Sequence, residues 1–315
     1  VKLQRFLLQR LASLMVVLLG ASLVIFAIMR LLPGDPVLAM LGLDTDPRVL
    51  AEARAALGLD RPLLVQYVAW LADAMRGEFG YSIILRRDVA DLLLLRFPTT
   101  LTLAVVSMAI ALLVAIPAGV ISARWRGRPV DHLSRIIGLA GVSMPNFWLG
   151  LLLIMFFGVQ LRWLPVGGYV SPLESPLQAL AHLVMPAFTL GTAYAATIMR
   201  MLRASMLDVL RRDYIAVATA YGVPGRVIVW NDAFRNALIP TLTVAGFAFG
   251  YMLAGTIIVE VIFNIPGVGR LLYESILTRD YPLVQAIVLF NITLFVVVNF
   301  TVDVLYAVID PRIQV

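Results

Sequence analysis

Six stretches of this chain run for about twenty residues or more almost without charge, the length a helix needs to cross about 30 Å of hydrocarbon at 1.5 Å per residue. They are Leu11–Met29, Thr99–Ala123, Ile136–Leu161, Ala179–Met199, Ala237–Val259 and Leu283–Ile309, and only the last contains a charged side chain, Asp303. Pro117, Pro145, Pro186 and Pro240 fall inside them, as prolines in membrane helices do when neighbouring groups satisfy the freed backbone. The composition agrees: 61% of the residues are apolar and 14% charged, where soluble chains carry roughly 45–50% and roughly 25%. The excess must face lipid, and disorder is excluded. The first stretch reads as a retained anchor, because a secretory core is shorter, about 7–15 residues, and ends in a small-residue cleavage site.

Orientation follows from the basic residues, which stay in the cytoplasm when they lie in short loops near span ends. The side holding the N-terminus has 14 Lys or Arg against five acids, net +9, and the opposite side is net −2. Six crossings then put both termini inside. The overall charge of +6 is spread over separate connecting segments and forms no single basic face, which argues against nucleic acid. The expected fold is therefore an all-α membrane protein with six transmembrane helices, both termini cytoplasmic, formed by residues 1–315 as one domain.

Two connections are too long to be turns. The external one, 31–98, has helical composition over Ala51–Leu57 and an amphipathic run over Val65–Met75, and is expected to be ordered. The inner one, 200–236, carries Met201, Leu202, Met206, Leu207 and Leu210 at helical spacing, with Asp208 placed to pair with Arg211 or Arg212, and breaks at Gly222-Val223-Pro224-Gly225. It reads either as a helix lying on anionic lipid or as a lever that a soluble partner moves.

Several chemistries are excluded. There is no Cys, and the only lysine is Lys2, so no Walker A loop exists and energy for uphill transport must come from a partner subunit or an ion. Ser143 and His182 lie in different spans as a candidate nucleophile and base, and their expected depths differ by roughly 15 Å where about 3 Å is required. No cluster suits a metal. An ion-coupled carrier, the alternative from another class, would place several ionisable groups at mid-membrane. Only Asp303 qualifies, with Asn299 and Tyr306 on the same helical face; these three read as a helix-pairing set or as part of a solute path.

An ordered set of motifs adds to this. It starts with Leu31-Leu32-Pro33-Gly34-Asp35-Pro36, Leu57-Gly58-Leu59-Asp60-Arg61-Pro62, Gln66-Tyr67, Gly77-Glu78-Phe79-Gly80-Tyr81-Ser82 and Pro98-Thr99-Thr100. It continues with Ser143-Met144-Pro145-Asn146-Phe147-Trp148-Leu149-Gly150, Met185-Pro186-Ala187 and Arg212-Asp213-Tyr214. It ends with Arg235-Asn236-Ala237-Leu238-Ile239-Pro240, Pro266-Gly267-Val268-Gly269-Arg270, Arg279-Asp280-Tyr281-Pro282, then Asp303, Tyr306 and Asp310-Pro311-Arg312. Over nearly its whole length the chain resembles the first of the two permease subunits of dipeptide, oligopeptide and nickel ABC importers.

The resemblance implies a bacterial or archaeal cytoplasmic-membrane protein that forms half of a translocation path. Its partners would be a second permease, itself a different chain, two ATPases that hold ATP and magnesium, and an external solute-binding protein; this chain itself would carry no cofactor and no catalytic residue. It implies peptides as solutes, with nickel or another small solute as the alternative. It also implies ATPase docking through Arg212, Asp213, Tyr214, Ala216, Ala218 and Gly222, continuing to Arg235, Asn236 and Pro240. The usual glutamate-alanine-alanine start reads Ala216-Val217-Ala218 here, and Ala216, Thr219 and Tyr221 replace basic residues. Asn231 and Asp232 stand where a basic residue and a histidine are usual. External docking or gating would fall on Asp35, Asp60, Gln66, Tyr67, Gly80, Ser82, Gly267 and Gly269.

Overall fold

The two longest helices of the computed structural model, α4 (Val89–Arg124) and α7 (Pro176–Leu210), lie side by side and run the same way. Their contacts advance in step. A Cβ on Gly191 would come within 2.6 Å of the Ser107 carbonyl, Gly119 faces Leu202, and Ser122 meets Arg203. Two parallel neighbours require the residues between them to bring the chain back through the same thickness. That return is made by α5 (Pro129–Ser143) and α6 (Asn146–Gln160) in series. The antiparallel sense of α5 is visible at Gly138, which faces Met199, and at Gly141, which faces Thr192.

Residues 2–31, 46–56, 59–82 and 84–309 are described. Among the described residues five helices are long and apolar enough to cross a membrane: α1 (Lys2–Leu31), α4, α7, α9 (Gly225–Ala254) and α12 (Tyr281–Ile309). The third predicted span is divided. Pro145 offers no N–H and pushes the residue before it out of the helical region, so Met144 is extended at φ −85°, ψ 122°. The last half of α6, Ile154–Gln160, is wound as a π-helix.

The predicted ends also shift. α4 starts ten residues earlier than Thr99, where the Asp88 side chain accepts a hydrogen bond from the Ala90 N–H and caps the first turn. α7 does not stop at Met199 but continues through Arg200 and Arg203, because Leu202, Met206 and Val209 stay buried against α4 and α9. Only the remainder of the predicted inner segment is a separate unit. Asp208 makes no ion pair with Arg211 or Arg212 among the described residues, contrary to the sequence expectation. At the other end α9 stops at Gly255, and Ile257–Ile262 forms a separate helix, α10, leading to α11 (Val268–Leu277).

In the external segment Pro47–Ala56 forms α2 and Leu63–Met75 forms α3, close to the two runs expected. A hairpin of two-residue strands follows, β1 (Tyr81–Ser82) against β2 (Arg87–Asp88), antiparallel with Tyr81 opposite Asp88. The core has three parts: a central one between α4, α7 and α9, an outer one between the start of α4, α11 and α12, and an inner one where α4 and α7 end and α9 begins. α1 packs along α12 and α3 and leaves Met15, Val16, Leu19 and Leu23 exposed, as a lipid-facing helix must.

Candidate functional site

The inner surface is built around one short helix. α7 ends at Leu210, Arg212 turns the chain with extended backbone (φ −74°, ψ 148°), and α8 (Asp213–Ala220) follows. Asp213 in its first turn complements the positive end of the helix dipole. Ile215 is the one buried residue of α8. Tyr214, Ala216 and Val217 are exposed, Ala218 is half-buried, and Tyr221 just beyond the helix is 85% exposed. α8 is thus a small platform resting on Ile215, with an open face.

Its far end is closed by a Schellman turn. The Val223 N–H donates to the Ala218 carbonyl at 3.1 Å and the Gly222 N–H to the Thr219 carbonyl at 3.0 Å, with Gly222 at φ +77°. Glycine is required there by the left-handed backbone, since nothing lies within 4 Å of where a Cβ would stand. The chain then enters α9 through a second π-helical stretch, Ile228–Phe234, which touches α8 and buries Ile228, Val229 and Ala233. π-turns are rare and mark functional sites in helices. Arg235 is exposed, the Asn236 Nδ2 donates to the Asp232 carbonyl at 2.7 Å, and Pro240 is half-buried further along α9. The residues expected to dock thus divide between α8 with its cap and the first turns of α9.

About two turns before the end of α7 sits a buried polar clamp. Arg203 of α7 donates to both carboxylate oxygens of Asp131 of α5, at 2.9 and 2.8 Å, and to the Ser122 hydroxyl of α4 at 2.9 Å. Asp131 also accepts from the Ser122 hydroxyl at 2.6 Å and the Gly127 N–H at 3.0 Å, and is 1% exposed. The Arg203 guanidinium holds the Asp131 carboxyl well below the usual carboxylate range, against the upward push of burial. Three helices and a turn therefore meet on one charge pair.

At the inner end of α12, Asp303 takes both a 2.6 Å ion pair and a 2.8 Å hydrogen bond from Arg10 of α1. Asn299, one turn away, has its Oδ1 buried without a hydrogen-bond partner among the described residues. Tyr306 continues the helix, and its side chain lies outside the described residues. His182 contacts the carbonyl of Gln178 in its own helix at 2.8 Å. Since Gly141 is level with Thr192, Ser143 stands about 12 Å along α7 from His182, too far for a nucleophile and its base.

On the outer side, Asp35 lies outside the described residues, and Asp60 is an exposed turn residue. Gln66 donates to the carbonyls of Leu59 and Arg61, at 3.2 and 2.7 Å, and pins that turn to α3. The Tyr67 hydroxyl meets that of Ser22 at 2.9 Å, and its ring packs edge-on against Phe26 at 5.4 Å, fixing α3 on α1. Ser82 donates to Asp280 at 2.5 Å, joining the hairpin to the start of α12, beside Gly80 at φ +88°. Gly267 stands against the carboxyl of Glu260, which is fully buried, and Gly269 lies so close to the Ile257 backbone that a Cβ would come within 2.8 Å of it. The Glu260 carboxylate accepts from the Thr100 hydroxyl at 2.7 Å and the Arg270 N–H at 2.9 Å, while the Thr100 oxygen accepts from the Val268 N–H at 2.8 Å. The carboxylate thus serves the open N-terminus of α11.

Sequence reasoning singled out neither Glu260 nor the Asp131–Arg203 pair. Glu260 had a legible signal, as the only charged residue between Arg235 and Arg270. The pair had none, since its members lie 72 residues apart on helices whose rotation the sequence does not specify.

Residues 115–315 match the family described as binding-protein-dependent transport system inner membrane component, and residues 3–104 match the N-terminal part of such membrane components. The chain belongs to this family. The permease is 42% identical over 309 residues to the glutathione transport system permease protein GsiC of Escherichia coli K12, covering 98% of each chain. The GsiC protein of Shigella dysenteriae serotype 1 matches equally well. Among solved structures, an amino acid ABC transporter with histidines superposes with a TM-score of 0.51 at 17% identity, covering 71% of the permease and 94% of that chain; that likeness concerns the fold. The protein is a multi-pass inner-membrane permease component of an ABC importer.

Proposed function

We propose that this permease carries small peptides inward, driven by two cytoplasmic ATPases that grip α8. The observation that carries the reading is the open platform itself: eight residues resting on Ile215, joined directly to two membrane-length helices. The relatives named as glutathione transport permeases support a peptide-type solute, glutathione being a small anionic peptide. ATP and magnesium are held by the ATPases, a second permease of different sequence completes the path, and an external binding protein delivers solute to the α2–α3 and hairpin side. Closure of the ATPases moves α8, and with it the inner ends of α7 and α9; the clamp on Arg203 carries that movement to α4 and α5. The path then alternates between its outward and inward openings, an equilibrium biased by nucleotide that the permease itself does not bind.

The absence of native cysteine makes this directly testable. A cysteine replacing Val217, 53% exposed on α8, is expected to react with a membrane-impermeant maleimide only in inverted vesicles, and to be protected when the ATPases are assembled. A cysteine replacing Leu173, 97% exposed in the connection between α6 and α7, should label only from outside. Labelling of Val217→Cys from outside, or no protection by the ATPases, contradicts the assignment.

A further inference from the structure

Between α5 and α7, near the inner end of both, a cleft of about 450 Å³ is lined by His132, Arg135, Ile136, Met199, Arg200 and Arg203. Its charge is unbalanced. Asp131 is the acid at this place, and its two oxygens are already taken by Arg203, Ser122 and Gly127. Among the described residues Arg200 donates only to the Thr197 hydroxyl, at 3.2 Å, and Arg135 has no carboxylate partner. The cleft wall is fixed on both sides: the Arg203–Asp131 clamp closes its back, and Gly138 lets Met199 approach so closely that a Cβ would stand 2.5 Å from its methyl.

The surroundings are apolar. Leu133, Ile136 and Ile137 of α5 are 58%, 64% and 61% exposed, forming a greasy slope that leads out of the cleft. Cations held at the edge of hydrocarbon without a counter-charge are costly, and a basic pocket between transmembrane helices on the cytoplasmic side meets the anionic headgroups of that leaflet. We infer that this cleft binds the headgroup of one anionic inner-leaflet phospholipid, the phosphate between Arg135 and Arg200 and an acyl chain along Ile136 and Leu133. The inference depends on the membrane placement of α5 and α7 and not on which solute is carried.

A soluble anion, the solute's own carboxylate included, offers similar chemistry, so the test separates the two sources. The complete transporter is reconstituted in nanodiscs of phosphatidylcholine doped with phosphatidylglycerol, extracted in mild detergent, and read by native mass spectrometry for retained phosphatidylglycerol. Parent protein is expected to retain it, and the R135Q/R200Q double variant to lose about tenfold in occupancy, each single variant falling between. The control R126A, in the basic turn that precedes α5 and outside the cleft, should match the parent. Both exchanged arginines are exposed, so the melting temperature of the double variant is expected to follow the parent. Unchanged occupancy in the double variant, or equal loss in R126A, overturns the site. Displacement of the lipid by millimolar glutathione or succinate overturns the assignment to lipid.

Discussion

Replacing Arg203 with alanine is expected to destabilise the permease by roughly 3–5 kcal/mol, the cost of leaving a buried carboxylate without its counter-charge. Asp131 is 1% exposed and would keep only Ser122 and Gly127. Thermal melts of the purified protein in detergent should show the loss for R203A and R203M alike. The double exchange D131L/R203M removes both charges and is expected to recover most of it, since apolar replacement of a whole buried pair is often neutral. An R203A variant that melts like the parent, or a double variant as weak as the single ones, contradicts the clamp. The pH dependence has a definite sign. The Asp131 carboxyl is held below its ordinary value, so the pair contributes fully above about pH 4, the unfolded aspartate range. Its contribution fades only as pH falls through the depressed folded value, and melting attributable to this pair stays flat from pH 5 to 8, within about one degree.

The second large effect is expected at the outer turn. A Cβ on Gly267 would overlap the Glu260 carboxyl, so G267A must displace that carboxylate from Thr100 and from the Arg270 N–H. Leaving such buried groups unpaired costs about 1–3 kcal/mol each. E260A should cost a similar amount by removing the acceptor outright. E260Q is expected to fall between the parent and E260A, because the amide oxygen can still accept from the Arg270 N–H while the amide NH2 meets the Thr100 oxygen, which already accepts from the Val268 N–H. The decisive comparison is non-additive: G267A should be severe alone and much milder in an E260A background, where the clash is gone. Equal damage in both backgrounds would mean that Gly267 is needed for another reason. The same contacts explain two quoted motifs at once, since Thr100 from one and Gly267 and Arg270 from the other converge on a single carboxylate.

The membrane spans were legible because hydrocarbon admits no unpaired charge, and a run without Arg or Asp is a strong signal. Their ends were less so. The presence of Arg200 and Arg203 suggested that the fourth span closed at Met199, yet arginine can lay its stem along a helix and carry its head elsewhere, and here the buried row Leu202, Met206 and Val209 prolongs α7 to Leu210. Proline was read as tolerated throughout. That holds at Pro117, between buried Ala115 and Gly119, and at Pro186, itself buried, where packed neighbours keep the helix together. At Pro145, with Ser143 and Phe147 exposed on either side, nothing holds it, and the span divides.

The site was legible in part. The break at Gly222 was visible as a Gly-Val-Pro-Gly sequence, and the structure adds its cause, a left-handed residue closing a Schellman turn. Asp303 stood out as the one acid in a span, but its partner Arg10 lies 293 residues away on a helix whose facing was unspecified. Pairings of this kind depend on helix rotation and register, which hydropathy does not encode.

The central claim is that motion reaches this permease from ATPases holding α8. The most direct measurement is peptide accumulation in proteoliposomes, comparing the complete assembly with the permease alone. Accumulation is expected only in the complete assembly with ATP and binding protein, and is expected to persist when proton and sodium gradients are collapsed. Uptake by the permease alone on an ion gradient would contradict it.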